Sequence, residues 1–251
     1  ERIKVVSHEE SLQISENTNA AIEIATGDYI AFADHDDELT PNALFECVKA
    51  LNKNRDVKVL YSDEDKMSMD GHKFFQPHFK PDFNLDLLRS NNYICHFFVV
   101  RREIAEKTGG LRPEYNGAQD YDYIFRCTEM AGKIVHIPRV LYHWRVHSAS
   151  TADNPASKLY AYEAGKKAIE GNLARCGEEG TVTLRSDYGF YDVDYKLRGT
   201  PLVSILIPNK DQADTLRTCL ESIKKKCMYP SYEILIIENN STEEATFSYY
   251  K

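Results

Sequence analysis

The chain has 251 residues, enough for one substantial core or for two small domains. Its 31 basic and 39 acidic residues give a net charge of -8, which argues against a nucleic-acid partner because phosphate binding depends on basic surface. A hydrophobic content of 42%, with 16 Tyr and 11 Phe, indicates a folded protein rather than a disordered one.

The six cysteines are widely spaced and form no zinc-type pattern, so we expect reduced thiols. No apolar run approaches the roughly 20 residues that span a bilayer, and no signal peptide is evident. We therefore expect no transmembrane segment and a cytoplasmic protein, in solution or at the inner face of the cell membrane. The chain begins at Glu1 without a methionine, and we expect a fragment of a longer protein.

Three elements are predicted before the first acidic cluster. Ile3 to Val6 is a short apolar run typical of a strand. The stretch from Ile14 to Ala25 has the spacing of an amphipathic helix. Tyr29 to Ala33 is a second apolar run, and it predicts a buried strand.

Carboxylates follow the strand Tyr29 to Ala33 directly. Asp34, Asp36 and Asp37 fall within four residues, where mutual repulsion makes their desolvation costly unless a cation neutralises them. Since ligands of open α/β sheets bind outside the carboxyl ends of strands, we predict a divalent-metal site here. The alternative is a solvated turn or a helix cap, because Thr40-Pro41 has the pattern of an N-cap followed by proline at the first helical position.

This region resembles a known family. Asn19 in a helical stretch, followed by the segment ATGDYIAFADHDDELTP, is similar to the central region of family 2 glycosyltransferases of the GT-A fold, whose acidic "DXD" motif binds a nucleotide-sugar and its metal. The resemblance implies that Asp36 faces the nucleotide ribose and the metal, that Asp37 ligates the metal and that Asp34 supports both. It also implies Mn2+ or Mg2+ as cofactor, and an α/β, Rossmann-like fold with a mixed, mostly parallel central sheet flanked by helices.

The middle of the chain alternates strand and helix patterns. Val57 to Ser62 predicts a strand that ends in Asp63, Glu64 and Asp65, and these acids fit either a turn or direct contact with a ligand. The stretch Phe74 to Asn92 is rich in aromatics and proline and is a candidate substrate-facing region. The other predicted elements are a helix over Pro41 to Asn52, a strand over Ile94 to Val100 and a helix over Arg102 to Thr108 ended by Gly109-Gly110.

A pair of acids begins the helix predicted from the segment QDYDYIFRCTEMAG. Asp120 and Asp122 lie in its first turn, where negative charge is favourable. One interpretation is that both acids only serve the helix start. In family 2 enzymes the corresponding motif ends in "ED", and its Asp is the general base of inverting members. The resemblance therefore implies that Asp120 is the base, with Gln119 in place of the usual Glu.

A basic and aromatic segment, VLYHWRVHSAST, follows the strand predicted over Lys133 to Ile137. It is similar to the segment that closes over the diphosphate in family 2, which implies that Arg145 and His147 meet the leaving diphosphate. The alternative is that Tyr142 and Trp144 anchor a loop and that the basic residues are solvated. Beyond it we predict a helix over Pro155 to Arg175 and a β-pair of Thr181 to Leu184 with Gly189 to Tyr195.

From Pro201 onward the pattern is strand, amphipathic helix, strand, with polar residues after each strand. This resembles the opening of a family 2 domain, in which the end of the first strand touches the nucleotide and the acid after the second strand recognises the base. The resemblance places Pro208 and Asn209 at the first position and Glu238 and Asn239 at the second.

A complete family 2 domain begins with this pattern, yet here the pattern comes last. We therefore expect residues 1–198 to be a GT-A domain without its opening, and residues 199–251 to open a following domain. Tandem family 2 enzymes that extend bacterial surface polysaccharides have this order. We expect Leu202 to Ile207 and Tyr232 to Ile237 to complete the sheet that contains Tyr29 to Ala33, within one chain or by exchange in a swapped homodimer.

The resemblance implies an inverting transfer of a hexose or deoxyhexose from a nucleotide-sugar donor to a hydroxyl of a glycan or lipid-linked glycan acceptor. The metal would stabilise the departing diphosphate, and Asp120 would remove the acceptor proton. Two other functions stay open. One is a non-catalytic domain that binds a glycan or a nucleotide-sugar, and the other is a metal-dependent phosphohydrolase, which would not need a nucleobase pocket.

Overall fold

A computed structural model describes residues 2–146 and 159–251. The chain forms two compact units, Glu1–Tyr195 and Lys196–Lys251, called here the first and second units. The helices of the first unit are α1 Ile14–Glu23, α2 Ala43–Lys53, α3 Leu85–Ser90, α4 Arg102–Thr108, α5 Gln119–Ala131 and α6 Leu159–Arg175, with a 3-10 turn at Pro113–Tyr115. Its strands are β1 Tyr29–Phe32, β2 Glu38–Leu39, β3 Val57–Met67, β4 Phe74–His78, β5 Phe98–Arg101, β6 Lys133–Arg145, β7 Gly180–Leu184 and β8 Tyr191–Tyr195.

Six of these strands form the central sheet, in the order β1-β5-β3-β6-β2, with β4 paired to β3. The predicted α/β class, with a mixed sheet and flanking helices, is confirmed. The direction of the strands differs from the expected mostly parallel arrangement. Within this sheet only β3 and β6 pair in parallel, and the other described pairs are antiparallel. Parallel neighbours need a crossover connection. Another parallel pair with such a connection, a strand–helix–strand pattern, lies in the second unit.

Strands β3 and β6 are the longest strands of the sheet, and both extend beyond their predicted ends. They pair in parallel from Val57 opposite Lys133 to Met67 opposite Arg145. The strand predicted to end at Ile137 continues through Pro138, which falls where the register shifts between Ser62 and Asp63 and a missing N–H is tolerated. The long pair carries residues from the core of the unit to the edge where the acidic cluster lies.

The core lies on both faces of the sheet. Side chains alternate along β3, so Val59 and Tyr61 pack on one face together with Phe125 of α5, while Leu60 packs on the other face together with Cys47 of α2. All five side chains are buried. Helices therefore cover the sheet on two sides.

The predicted strand Ile3 to Val6 is wrong. The first strand of the described residues begins at Tyr29, and Ile3 and Val5 are 75% and 84% exposed. A short apolar run becomes a strand only when a neighbouring strand satisfies its backbone groups, and no strand pairs with these residues in the described parts of the chain.

The second unit has the predicted strand–helix–strand pattern. It consists of β9 Val203–Asn209, α7 Ala213–Lys226, β10 Tyr232–Glu238 and α8 Glu244–Tyr250. β9 and β10 pair in parallel in a two-stranded sheet. A parallel pair needs a crossover connection, and α7 supplies it. Completion of the six-stranded sheet by this segment, within one chain or by exchange between two chains, stays a prediction.

Among the helices of the described residues, none has the length and apolar character that crossing a lipid bilayer requires.

Candidate active site

The acidic turn, residues 34–37, connects β1 to β2 at the edge of the sheet. Tyr142 of β6 binds this turn through its hydroxyl, which donates to Asp37 Oδ2 at 2.5 Å and accepts from the Asp34 backbone N–H at 3.0 Å. The backbone N–H of Arg145 donates to Asp37 Oδ1 at 2.8 Å. Both carboxylate oxygens of Asp37 are thereby oriented by β6.

The two aspartates that frame this turn differ electrostatically. Hydrogen bonding with His96 is the main cause that lowers the pKa of Asp34 below its ordinary value, and it outweighs burial. Burial raises the pKa of Asp37, despite the opposing hydrogen bonds from Tyr142 and Arg145. A cation beside Asp37 would favour the ionised carboxylate and so lower this raised pKa. A bound metal ion would supply that charge.

His96 completes a group of three potential metal ligands. Its Nε2 lies 3.5 Å from Asp34 Oδ2, and ligand atoms of Asp34, Asp37 and His96 all lie within 4.8 Å of one another. The imidazole stacks on Tyr142, with ring centroids 5.0 Å apart and an interplanar angle of 8°. Two carboxylates and an imidazole are a donor set that suits a divalent ion such as Mn2+, so the residues fit the metal that the sequence predicts.

The charge of His96 also depends on this environment. Burial lowers its pKa, but the influence of Cys95 and the hydrogen bonds with Asp34 and Glu64 outweigh burial and keep the pKa well above the ordinary value. A proton on the imidazole and a metal ion therefore compete for the same pair of carboxylates.

Sequence reasoning missed His96. It lies in the apolar run Ile94 to Val100, which was interpreted only as a strand, whereas β5 begins at Phe98. An imidazole inside an otherwise apolar run was the one signal in the sequence, and a single histidine is ambiguous without its partners.

Asp36, predicted as a metal ligand, lies beside this group rather than within it. Its side chain is 34% exposed and lies 3.8 Å from His35 Nδ1, and its backbone carbonyl accepts a hydrogen bond of 2.6 Å from Arg145 Nε. Metal ligation by Asp36 stays a prediction.

Arg145, predicted to meet the diphosphate, closes the acidic turn. Besides Asp36, its guanidinium donates to Glu38 Oε1 at 2.5 Å and to the Met69 carbonyl at 2.8 Å. The permanent cation thus lies next to the predicted metal site, although its contact with a diphosphate stays a prediction. His147, assigned the same role, lies outside the described residues.

Asp120 lies at the start of α5 and is half-buried. The side-chain amide of Asn92 donates to its Oδ2 at 2.8 Å. Burial is the main cause that raises the pKa of Cys95 to about 12, and the negative charge of Asp120 adds to the rise. The segment from Asn92 to His96 therefore runs between the predicted base, which Asn92 contacts, and the acidic turn, which His96 contacts.

Asp122 has a structural role, which separates it from Asp120. Its side chain is 0% exposed and accepts hydrogen bonds from Arg112 Nε at 3.0 Å and from Arg126 Nε at 2.9 Å. Arg126 also donates to the Thr108 and Gly110 carbonyls, so the carboxylate ties α5 to the end of α4. Of the two interpretations of this pair of acids, the structural one applies to Asp122, which stabilises α5 and its packing.

Asp122→Ala is expected to lower the free energy of unfolding by about 3–5 kcal/mol, because it leaves two arginines without their buried counter-charge. Urea unfolding followed by circular dichroism measures this loss. Asp120→Ala, two residues away on the half-buried side, is the matched control and should change stability far less. Equal midpoints for the two variants would contradict the structural role of Asp122.

The acids after Val57 to Ser62 lie within β3, and none of them marks a turn. Asp63 Oδ1 lies 2.7 Å from His136 Nε2, and Asp65 Oδ1 lies 2.5 Å from His143 Nδ1. Glu64 faces Lys80, at 3.3 Å from Nζ to Oε2. Burial works to raise the pKa of Glu64, but bonds to histidines and the charge of Lys80 outweigh it and hold this pKa at about 2.

The predicted nucleotide contacts lie together in the second unit. Pro208 and Asn209 end β9, beside Glu238 and Asn239 at the end of β10. The Asn239 N–H donates to the Asn209 carbonyl at 2.9 Å, and the Tyr250 hydroxyl lies 2.7 Å from both the Asn209 amide nitrogen and Glu238 Oε2. These four residues therefore share one corner, at the carboxyl ends of two parallel strands.

Comparison with known proteins identifies the family of this chain. The family model described as "Glycosyl transferase family 2" matches residues 1–109 and 204–247, which is more than half of the chain. The chain belongs to glycosyl transferase family 2. The match includes the acidic turn, His96 and the corner of the second unit, and the resemblance proposed from the sequence is confirmed.

Two relatives align with nearly all of this family 2 chain. An uncharacterized protein, y4gI, of Sinorhizobium fredii is 41% identical over 252 residues, covering 99% of this chain and 28% of the relative. The O-antigen biosynthesis protein RfbC of Myxococcus xanthus is 40% identical over 247 residues, covering 98% of this chain and 19% of the relative. The chain thus spans less than a third of either relative. Residues 1–349 of TarS from S. aureus, known as a crystal structure, align with a TM-score of 0.44 at 12% identity, covering 73% of this chain and 77% of that one.

Proposed function

We propose that this chain is part of an inverting glycosyltransferase that moves a hexose or deoxyhexose from a nucleotide-sugar to a hydroxyl of a glycan or lipid-linked glycan acceptor. The observation that carries the proposal is the segment from Asn92 to His96, which links the half-buried carboxylate of Asp120 to the ligand group at the acidic turn. Family membership supports the reaction class. The name of the Myxococcus relative, an O-antigen biosynthesis protein, supports a role in bacterial surface polysaccharide synthesis. The location that we propose is the cytoplasm or the inner face of the membrane.

Asp34, Asp37 and His96, with Asp36 beside them, are the residues that would hold a Mn2+ or Mg2+ ion. When bound, such an ion neutralises negative charge that develops on the departing diphosphate. The chain's own contribution is orientation: Tyr142 and Arg145 fix the carboxylate of Asp37 before any ligand arrives. Because these contacts exist already, little reorganisation is needed at the moment of transfer.

Asp120 is the proposed general base. Its carboxylate would accept the proton of the acceptor hydroxyl while the hydroxyl oxygen bonds to the anomeric carbon and the bond from that carbon to the diphosphate oxygen breaks. Attack opposite to the leaving group inverts the configuration. Asn92 holds Oδ2 of the base, which limits the orientations that the carboxylate can take.

The nucleotide contacts are proposed to come from a second domain segment. The position of Pro208, Asn209, Glu238 and Asn239 at the carboxyl ends of two parallel strands supports this proposal. Residues 199–251 are proposed to open a domain that follows residues 1–198. In the isolated chain, a swapped homodimer would bring this segment of one chain to the sheet of another. The short β9–β10 sheet, with Leu202 and Leu206 more than 60% exposed, supports such an exchange.

A thermal-shift panel of nucleotide-sugars, with and without Mn2+, tests the function. We expect donors of one base to raise the Tm, and only when Mn2+ is present, because a ligand stabilises the folded state that binds it. Nucleoside diphosphates without a sugar separate base recognition from sugar recognition. Release of phosphate from any donor, without base preference, would favour a phosphohydrolase, and binding with no transfer by the parent enzyme would favour a non-catalytic domain.

A further inference from the structure

A buried ion pair forms hydrogen bonds with the backbone of His96. Lys80 has a side chain that is 0% exposed, and its Nζ lies 3.3 Å from Oε2 of Glu64, which is itself buried. Lys80 Nζ also donates to the carbonyl of Ile94 at 3.1 Å and to the carbonyl of His96. Glu64 Oε2 accepts from the backbone N–H of His96. The pair therefore binds both the N–H and the C=O of one residue.

This arrangement needs an explanation, because a buried ion pair is weak evidence for stability. Desolvation of the two charges often cancels their attraction, and apolar replacements of similar volume are frequently as stable. Lys80 and Glu64 direct most of their described contacts to residues 94–96 and to each other. Their geometry therefore points toward His96 rather than toward the core in general.

The side chain of His96 also faces Glu64. Its Nδ1 lies 3.6 Å from Glu64 Oε2, while its Nε2 lies 3.5 Å from Asp34 on the opposite side of the ring. In metal sites, an outer carboxylate of this kind sets the tautomer and the ring orientation of a ligating histidine.

We propose that Glu64 and Lys80 are positioning residues for the metal ion, and that they act by holding the Nε2 of His96 toward Asp34 and Asp37. The proposal rests on the proposed metal-dependent function. Lys80 binds the carbonyls of Ile94 and His96 and lies beside the charge of Glu64. Glu64 accepts from the main-chain N–H of His96 and lies 3.6 Å from its Nδ1. A pair with a merely structural role would change stability when replaced but would leave metal affinity unchanged.

The test is a titration of the full chain with Mn2+ alone, with free Mn2+ measured by electron paramagnetic resonance. We expect His96→Asn and Glu64→Gln each to weaken Mn2+ binding about 10- to 100-fold. In the double variant the loss should not exceed that of His96→Asn alone, because Glu64 acts through His96. Asp65→Asn, on the same strand and equally bonded to a histidine, is the matched control and should leave Mn2+ affinity unchanged.

Folding is checked by circular dichroism for every variant. Since Glu64→Gln leaves Lys80 without a counter-charge, a second variant combines it with Lys80→Met and removes both charges. We expect this variant to fold and to bind Mn2+ as weakly as Glu64→Gln. Loss of the folded spectrum in both variants would count against the proposal, because it would show that the pair maintains the fold.

Two outcomes overturn the proposal in different ways. The positioning role is contradicted if Glu64→Gln leaves Mn2+ affinity unchanged, or if it weakens binding equally in the wild type and in His96→Asn. If Asp37→Ala still weakens binding in that case, the metal site itself stands. Absence of Mn2+ binding in the wild type, or binding that Asp37→Ala does not affect, would remove the metal site and the positioning role together.

Discussion

Asp120→Asn in the intact parent enzyme is expected to lower kcat about 100- to 10,000-fold, the usual contribution of a general base. Donor binding should stay as in the wild type, because the base acts on the acceptor proton only as the transition state forms. Initial rates with the natural acceptor measure the first effect, and calorimetry with the nucleotide-sugar measures the second. An amide keeps the shape of the side chain, so packing at the start of α5 is preserved.

The neighbouring variant Gln119→Glu is the control for this experiment. It introduces the acid that family 2 enzymes usually carry before the base, and we expect it to retain transfer. Asn92→Ala removes the described partner of Asp120 and should produce a smaller loss of kcat than Asp120→Asn. Turnover of Asp120→Asn within a few-fold of the wild type would remove Asp120 from the mechanism.

Asp37→Ala is expected to weaken metal-dependent binding of a nucleoside diphosphate at least 100-fold, equivalent to about 2.7 kcal/mol. The substitution removes a carboxylate of the acidic turn that β6 orients through both oxygens. Calorimetry with Mn2+ and the diphosphate measures the loss. Unchanged affinity in Asp37→Ala would contradict the assignment of the acidic turn as the metal site.

Two neighbouring variants separate ligation from orientation. Tyr142→Phe removes the hydroxyl that contacts Asp37 and the Asp34 N–H, so it should weaken binding less than Asp37→Ala. Asp36→Ala distinguishes the ligand set implied by the family motif from the set that includes His96. A strong effect of Asp36→Ala would place Asp36 in the metal site, and a weak effect would leave Asp34, Asp37 and His96.

Local pattern was sufficient for most of the helices. α1, α2, α4 and α5 were predicted because their apolar residues recur with helical period, and Gly109 ends α4 in the left-handed conformation, with φ 79°, as its sequence suggests. The acidic turn was also accessible from sequence, because acids placed directly after an apolar strand are costly to bury without a ligand.

The ends of β3 and β6 could not be predicted, because their continuation depends on distant partners. Asp63 and Asp65 have the pattern of a strand end, yet the side chains of His136 and His143 in β6 lie within hydrogen-bond distance of them. His96 was missed for the same reason. Its significance comes from Asp34 and Glu64, which are remote in sequence and become its neighbours only when the sheet forms.

The position of β1 at the end of the six-stranded sheet has a practical consequence for work with shortened chains. Among the described strands, β1 pairs only with β5, so its other side is an open row of backbone donors and acceptors. Such an edge accepts strands from other molecules and promotes precipitation. A protein truncated after Tyr195 would therefore be difficult to concentrate, and a soluble preparation of the first unit needs a strand, supplied by the same polypeptide or by another, beside Tyr29–Phe32.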